Sequence, residues 1–241
     1  MVWLAVGLGS FIGGMVQTVT GFGSGVVLIL ILSRFFEITV ASSLNTSICM
    51  VLSATLAWQF RHEIQWKLVM IPILPYMVAS ILAIRTMGSM DMTVLAVLFA
   101  LFLMTLSVFF LFFEQRVRLN GSVPTALACG GISGVFSGLF GVGGPLMALH
   151  FISVAPGHIA YVSTLQFFFL PTNVVSLLTR VSSGFYTADL IPITVLGVVC
   201  ILSGKWAGLR IASRINGEKL KKLIYIFVGI SGAVTLLQQI L

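Results

Sequence analysis

From Met92 to Phe113 the chain reads MTVLAVLFALFLMTLSVFFLFF, an uninterrupted apolar run without a charged side chain. A stretch of this kind leaves few folding options. About 20 apolar residues wound as a helix match the hydrocarbon thickness of a bilayer. Backbone amides inside lipid must be satisfied internally, which a helix does within itself. Comparable runs recur at Thr39–Phe60, Trp66–Met87, His158–Thr179, Leu190–Ile211 and Leu220–Ile240. With 59% hydrophobic and 8% charged residues, and a mean hydropathy of +1.14, there is no polar stretch left for a soluble domain. The sequence predicts an all-α polytopic membrane protein of about eight transmembrane segments.

Two further apolar regions differ from these. Val2–Leu32 is too long for one ordinary crossing and is punctuated by Thr20-Gly21-Phe22-Gly23-Ser24-Gly25. Pro124–Phe151 contains GGISGVFSGLFGVGGPLMALHF, where small residues (Gly130, Gly134, Gly138) lead into Gly141-Val142-Gly143-Gly144-Pro145. Glycine costs about 1 kcal/mol against alanine in a helix interior and proline about 3 kcal/mol. Each region therefore reads as two half-helices around a break, with the small residues letting neighbouring helices approach closely. Irregular backbone at membrane depth must be buried in protein or line a cavity.

The breaks sit in register. Gly21 and Gly141, Gly23 and Gly143, Ser43 and Ser163, and Gly88 and Gly208 are each 120 positions apart, as are Ile71-Pro72-Ile73 and Ile191-Pro192-Ile193. We read a first membrane repeat over 1–120 and a second over 121–241, two pseudo-symmetric halves each opening with a Gly-broken helix. Corresponding broken segments in two halves point to a transporter binding site. Four full crossings per half would make the repeats parallel, whereas a re-entrant break would invert them.

The net charge of +7 comes mostly from residues between apolar runs, with Lys205, Arg210, Arg214, Lys219, Lys221 and Lys222 before or at the start of the last span. Two readings apply: retention of that loop in the cytoplasm, and attraction of an anionic solute. Nucleic-acid binding is not expected, since no basic patch is interleaved with aromatics on a soluble face. Cys49, Cys129 and Cys200 stand singly in apolar runs and suggest neither disulfide nor metal site. The amino terminus, MVWLAVGLGSF, reads as a first membrane segment rather than a removable signal. No hydrolase or zinc-protease motif is present, and the glycine clusters lack the strand and acidic residue of a dinucleotide fold. Neither an enzyme nor a cofactor is expected.

The chemistry is expected at the breaks. Amide N–H groups freed there, at the start of a following half-helix, favour an anion; the matched breaks in both halves weigh for that reading over a kink made only for helix packing. The candidate substrate site is Gly21, Phe22, Gly23, Ser24, Gly141, Val142, Gly143 and Gly144, with neutral donors Asn45, Thr46, Thr164 and Gln166 from the second and sixth spans. Those polar groups would equally serve helix-to-helix hydrogen bonds. Among ionisable groups, Lys205 has the length to snorkel, His150 is suited either to proton transfer or to closing a buried helix end, and Glu37, Asp91 and Asp189 sit where helices start.

These residues resemble the TauE/SafE sulfite exporter family. GGISGVFSGLFGVGGPLMALHF is the most specific part, and the tail GKWAGLRIASRINGEKLKKLIYIFVGISGAVTLL is similar to that family's last two helices. The resemblance implies a multi-pass permease of the cell inner membrane moving a small anion: sulfite, an organosulfonate or a related sulfur-containing anion, by alternating access. Its partners would be that solute and the lipid bilayer. Members often have three consecutive glycines in both motifs; this chain has Gly23-Ser24-Gly25 and Gly143-Gly144-Pro145. The alternatives are a permease for a non-sulfur carboxylate and a non-transporting scaffold of a sulfur-metabolising complex. Gly143→Leu and Gly23→Leu are expected to separate a solute site at the breaks from a packing role, abolishing transport but leaving the fold in the first case and destabilising the protein in the second.

Overall fold

A computed structural model describes residues 1–113, 119–211 and 217–240, with no side-chain detail for 217–224, 227 and 238–240. The linker charges at 114–118, Arg214, and the side chains of Lys219, Lys221 and Lys222 lie outside the described residues.

The described chain is helical: α1 (Val2–Thr20), α2 (Ser24–Leu32), α3 (Ile38–Gln59), α4 (Trp66–Met87), α5 (Met92–Val108, continued by a wider turn over Phe109–Phe113), α6 (Val123–Phe140), α7 (Gly144–Val154), α8 (His158–Ser182), α9 (Ile191–Ile211) and α10 (Gly217–Ile240). Among the described residues, seven helices are long and apolar enough to cross a membrane, counting α9 with its leading 3-10 turn; α2 and α7 are too short. The polarity is that of a membrane bundle. Leu4, Leu74, Leu82, Val195 and Val199 point outward, while Gln17, Asn45, Thr46, Gln166 and Arg180 are buried.

The breaks are sharper than two half-helices in line. α1 and α6 are helices of 19 and 18 residues, and α2 and α7 only 9 and 11. α2 folds back along α1: a Cβ on Gly13 would lie 3.3 Å from the Ser24 Cα, and one on Gly9 would press on Ile31. α7 returns along α6 in the same way, Gly143 beside Ser133 and Gly121 beside Val154. Left-handed glycines make both reversals. Gly21 (φ 87°) and Gly141 (φ 70°) end α1 and α6, donating their N–H groups to Gln17 O and Ser137 O, each at 2.8 Å. Pro145 then falls in the first turn of α7, where its missing N–H is not needed.

Helix pairs join the early chain to the late chain. α4 lies parallel to α6: Gly130, Gly134 and Gly138 meet the backbone at Pro72, Tyr76 and Ser80 in turn. α1 lies parallel to α9: the Phe11 and Met15 carbonyls meet Gly204 and Gly208 in turn, and Gly14 meets the Ile201 carbonyl. No side chain separates the backbones at these points, which is the membrane use of small residues. α3 and α8 run antiparallel through the middle, tied by Arg180 to Ser42 at one end and the Gln65 N–H to Thr164 at the other. α5 and α10 pack antiparallel at the edge, Ser107 donating to Tyr225 O at 2.6 Å.

Helix starts differ among the expected carboxylates. Asp91 caps α5, accepting from Thr93 N at 2.7 Å and Val94 N at 3.3 Å. Glu37 precedes α3 without a side-chain cap, and Asp189 lies in the short 3-10 turn Ala188–Leu190.

Candidate functional site

The two reversals meet. A Cβ on Gly25 would be 3.4 Å from the Gly141 carbonyl, so the first turn of α2 touches the turn after α6. At 1.5 Å per residue, Asn45 lies about 10 Å from the start of α3, and Gln166 about 12 Å from the start of the antiparallel α8. Both side chains reach the reversals. The meeting point is therefore in the middle of the bundle.

Each central helix holds the other end's turn. Asn45 Nδ2 donates to Gly141 O (3.1 Å) and Gly25 O (3.0 Å). Gln166 Nε2 donates to Gly21 O (2.7 Å), and its Oε1 accepts from Gln17 Nε2 (2.8 Å). Gln17 in turn accepts from the Ser24 hydroxyl. The bonds to Gly141 O and Gly21 O satisfy turn carbonyls that no helix ladder covers.

A cavity of about 40 Å³ opens between the turns. Its walls include Phe22, Gly23, Ser24, Gly141, Val142, Gly143, Gly144 and Thr46, eight of the twelve expected residues, together with Pro145. A water needs about 10–15 Å³ of such volume, so the space suits a compact oxyanion or roughly three waters. α2 and α7 both begin at this cavity, so the partial positive ends of two helices face it. Hydroxyls and amides of Ser24, Thr46, Ser53, Tyr76 and Asn173 supply neutral polar groups.

The other four expected residues are elsewhere. Asn45, Gln166 and Gly21 form the support of the cavity rather than its wall: Gly21 is covered by Tyr161 and Val162. Thr164 accepts from the Gln65 N–H in the α3–α4 connection at 3.0 Å and belongs to a helix junction. The glycine-to-leucine probes also change meaning. A side chain at Gly143 would collide with the Tyr76 hydroxyl and come within 2.8 Å of Ser133 O, and Gly23 sits at φ 108°. Either leucine would disturb the fold, so neither isolates binding.

Sequence reading missed Gln17, Cys49, Ser53 and Tyr76 in the wall, and Arg180 behind it. Gln17 carried a signal: an amide four residues before the first glycine reversal, in an otherwise apolar run. Arg180 lay one residue beyond the expected end of its span; α8 runs on to Ser182 and takes the arginine inside. It donates to Ser42 Oγ (2.6 Å), Ser137 O (3.0 Å) and Gly138 O (2.6 Å). His150, on α7, is buried beside Phe151, and its Nδ1 has no hydrogen-bond partner among the described residues. Lys205 is half-buried on α9.

An apolar-faced helical bundle whose reversed backbone encloses a polar cavity has the architecture of a solute-carrying membrane protein. Its family follows from the whole chain: it belongs to the sulfite exporter TauE/SafE family, whose model matches residues 6–235. That is a family of membrane transporters, and the protein is a multi-pass membrane protein. Comparison with curated proteins gave no match, and neither did comparison with solved structures.

Proposed function

We propose that this protein is an inner-membrane permease that carries a small sulfur-containing anion, sulfite or an organosulfonate, by alternating access. Residues 1–120 and 121–241 act in it as two repeats of opposite orientation. The observation that carries the reading is the convergence of the α2 and α7 N-termini on one cavity lined by neutral polar groups. Partial positive charge and unpaired N–H groups at such ends recognise oxyanions, and none of the described carboxylates is buried to repel one.

Several features support the paired repeats. The two reversals lie 120 positions apart with the same left-handed glycine, and the α4–α6 and α1–α9 contacts exchange helices in the same sense. α1 parallels α9 and α4 parallels α6, while α3 opposes α8 and α5 opposes α10, which is the relation expected of inverted repeats. The cavity volume of about 40 Å³ favours a compact oxyanion such as sulfite over longer organosulfonates.

The test is flux into proteoliposomes holding the purified full chain, with sulfite as the solute and taurine, sulfoacetate and plain carboxylates as competitors. Saturable sulfite movement that falls at least tenfold in Ser53→Ala/Thr46→Val, with the thermal midpoint kept, is the expected result. Movement of carboxylates alone would replace the sulfur anion with a carboxylate. An inert protein that binds none of these anions would leave the scaffold role.

A further inference from the structure

Arg180 has no evident place in a simple packing account. Among the described residues it is the only buried lysine or arginine, and no aspartate or glutamate is buried with it. Glu37, Glu63, Asp91 and Asp189 are all exposed. Its three hydrogen bonds go to one hydroxyl and two backbone carbonyls, and its Nε has no hydrogen-bond partner among the described residues. Burying a charge without a counter-charge is costly.

The ordinary explanation is a helix cap. Ser137 O and Gly138 O belong to the last turn of α6, and a basic side chain is favourable there. That accounts for the hydrogen bonds and not for the charge. A neutral amide does the same work nearby, where Asn45 holds the Gly141 carbonyl. A helix end presents about half an elementary charge, so a guanidinium leaves positive charge over.

The surplus lies next to the cavity. Ser137, whose carbonyl takes Nη2, lines it, as does Thr46, one turn beyond Ser42. Reversing a helix also brings its negative C-terminal end to the same place as the positive start of the next. Without a mask on the α6 end, the two fields at the cavity would largely cancel.

We propose that Arg180 is the fixed positive charge for which the transported anion in the central cavity is the counter-ion, acting across Ser137 and masking the negative end of α6. This rests on the anion-permease reading above. It makes Arg180 a positioning residue that sets the potential of the cavity rather than part of its wall. Two consequences follow. Anion affinity depends on charge at position 180, and a carboxylate supplied within the protein competes with the solute.

The test uses purified full-length protein in detergent with sulfite as the probe, reading the dissociation constant and the midpoint of the empty protein separately. Arg180→Gln is expected to weaken sulfite binding by about a hundredfold, and Arg180→Lys to restore it to within about tenfold of the native protein. Because Arg180→Gln risks misfolding, Ser42→Asp serves as the second variant. It places a carboxylate where the Ser42 hydroxyl now meets Nη1 at 2.6 Å, and should hold or raise the empty midpoint while abolishing sulfite binding. Sulfite bound by Ser42→Asp, or by folded Arg180→Gln, within about threefold of native affinity would overturn the proposal. Native protein that binds neither sulfite nor sulfonates would instead overturn the permease reading, and this inference with it.

Discussion

Asn45→Ala tests whether the reversals are held from the central helices. The amide nitrogen bridges Gly141 O and Gly25 O at 3.1 and 3.0 Å, and Asn45 is fully buried. The two bonds are not equivalent. Gly25 lies within α2, so losing that bond costs about 0.6 kcal/mol, the average for side-chain bonds in membranes. Gly141 is the cap residue beyond the α6 ladder, and its carbonyl would be left unpaired, at about 1–3 kcal/mol. The sum is about 1.6–3.6 kcal/mol, and for a chain of this size each kcal/mol shifts the midpoint by about 2–4 °C. Thermal unfolding in detergent should therefore show a drop of about 3–14 °C. Asn45→Asp, of equal size, turns an acceptor toward both carbonyls and should be worse than alanine. Gln166→Ala, which strands Gly21 O and Gln17 Nε2, should cost at least as much as Asn45→Ala. Midpoints within about 2 °C of native in both alanine variants, or an aspartate better tolerated than alanine, would show that something else fixes the turns.

Other outcomes follow from the same contacts. Gly204→Ala and Gly14→Ala would each push a methyl group into the facing helix's carbonyl, and should lower the midpoint and the yield of folded protein by more than about 1 kcal/mol of stability. Gly131→Ala, where an added Cβ meets nothing within 4 Å, should be neutral or stabilising by up to about 1 kcal/mol in the same assay. Bonds from the backbone N–H groups of Thr93 and Val94 hold the Asp91 carboxyl below its ordinary value of 3.8. A carboxyl lowered in the fold stabilises above its unfolded value and loses that contribution as the pH falls through the folded one. Asp91→Ala should therefore flatten the acid side of the midpoint-versus-pH curve below about pH 4 and leave neutral flux unchanged.

The helical membrane class and both breaks were legible because they rest on local chemistry: apolar length, and glycine and proline where a helix cannot continue. The family resemblance spoke through the same residues. What the breaks do was not legible. Whether Gly141 lets a helix jog or turn back depends on the packing of Gly143 against Ser133 and Tyr76, which no spacing reveals. Asn45 and Gln166 stood out as amides in apolar helices, but their partners lie 96 and 145 positions away. Thr164 looked identical in kind and went to a helix junction instead. Arg180 escaped because hydropathy places a charge at the end of a span by default, and only the continuation of α8 to Ser182 brings it inside.

The glycine seams between α4 and α6 and between α1 and α9 have a mechanical consequence. Backbone packed on backbone leaves little room for sliding, so in any rearrangement each seam would move as one stiff plank, and each plank takes one helix from either side of the 114–118 linker. A chain cut at that linker would yield two fragments that each lack half of both planks. Neither fragment would be a working body, although together they contain every residue. The hinges would lie across the planks, at the α3–α8 crossing, and the boundary seen along the sequence would have no counterpart in the way the molecule bends.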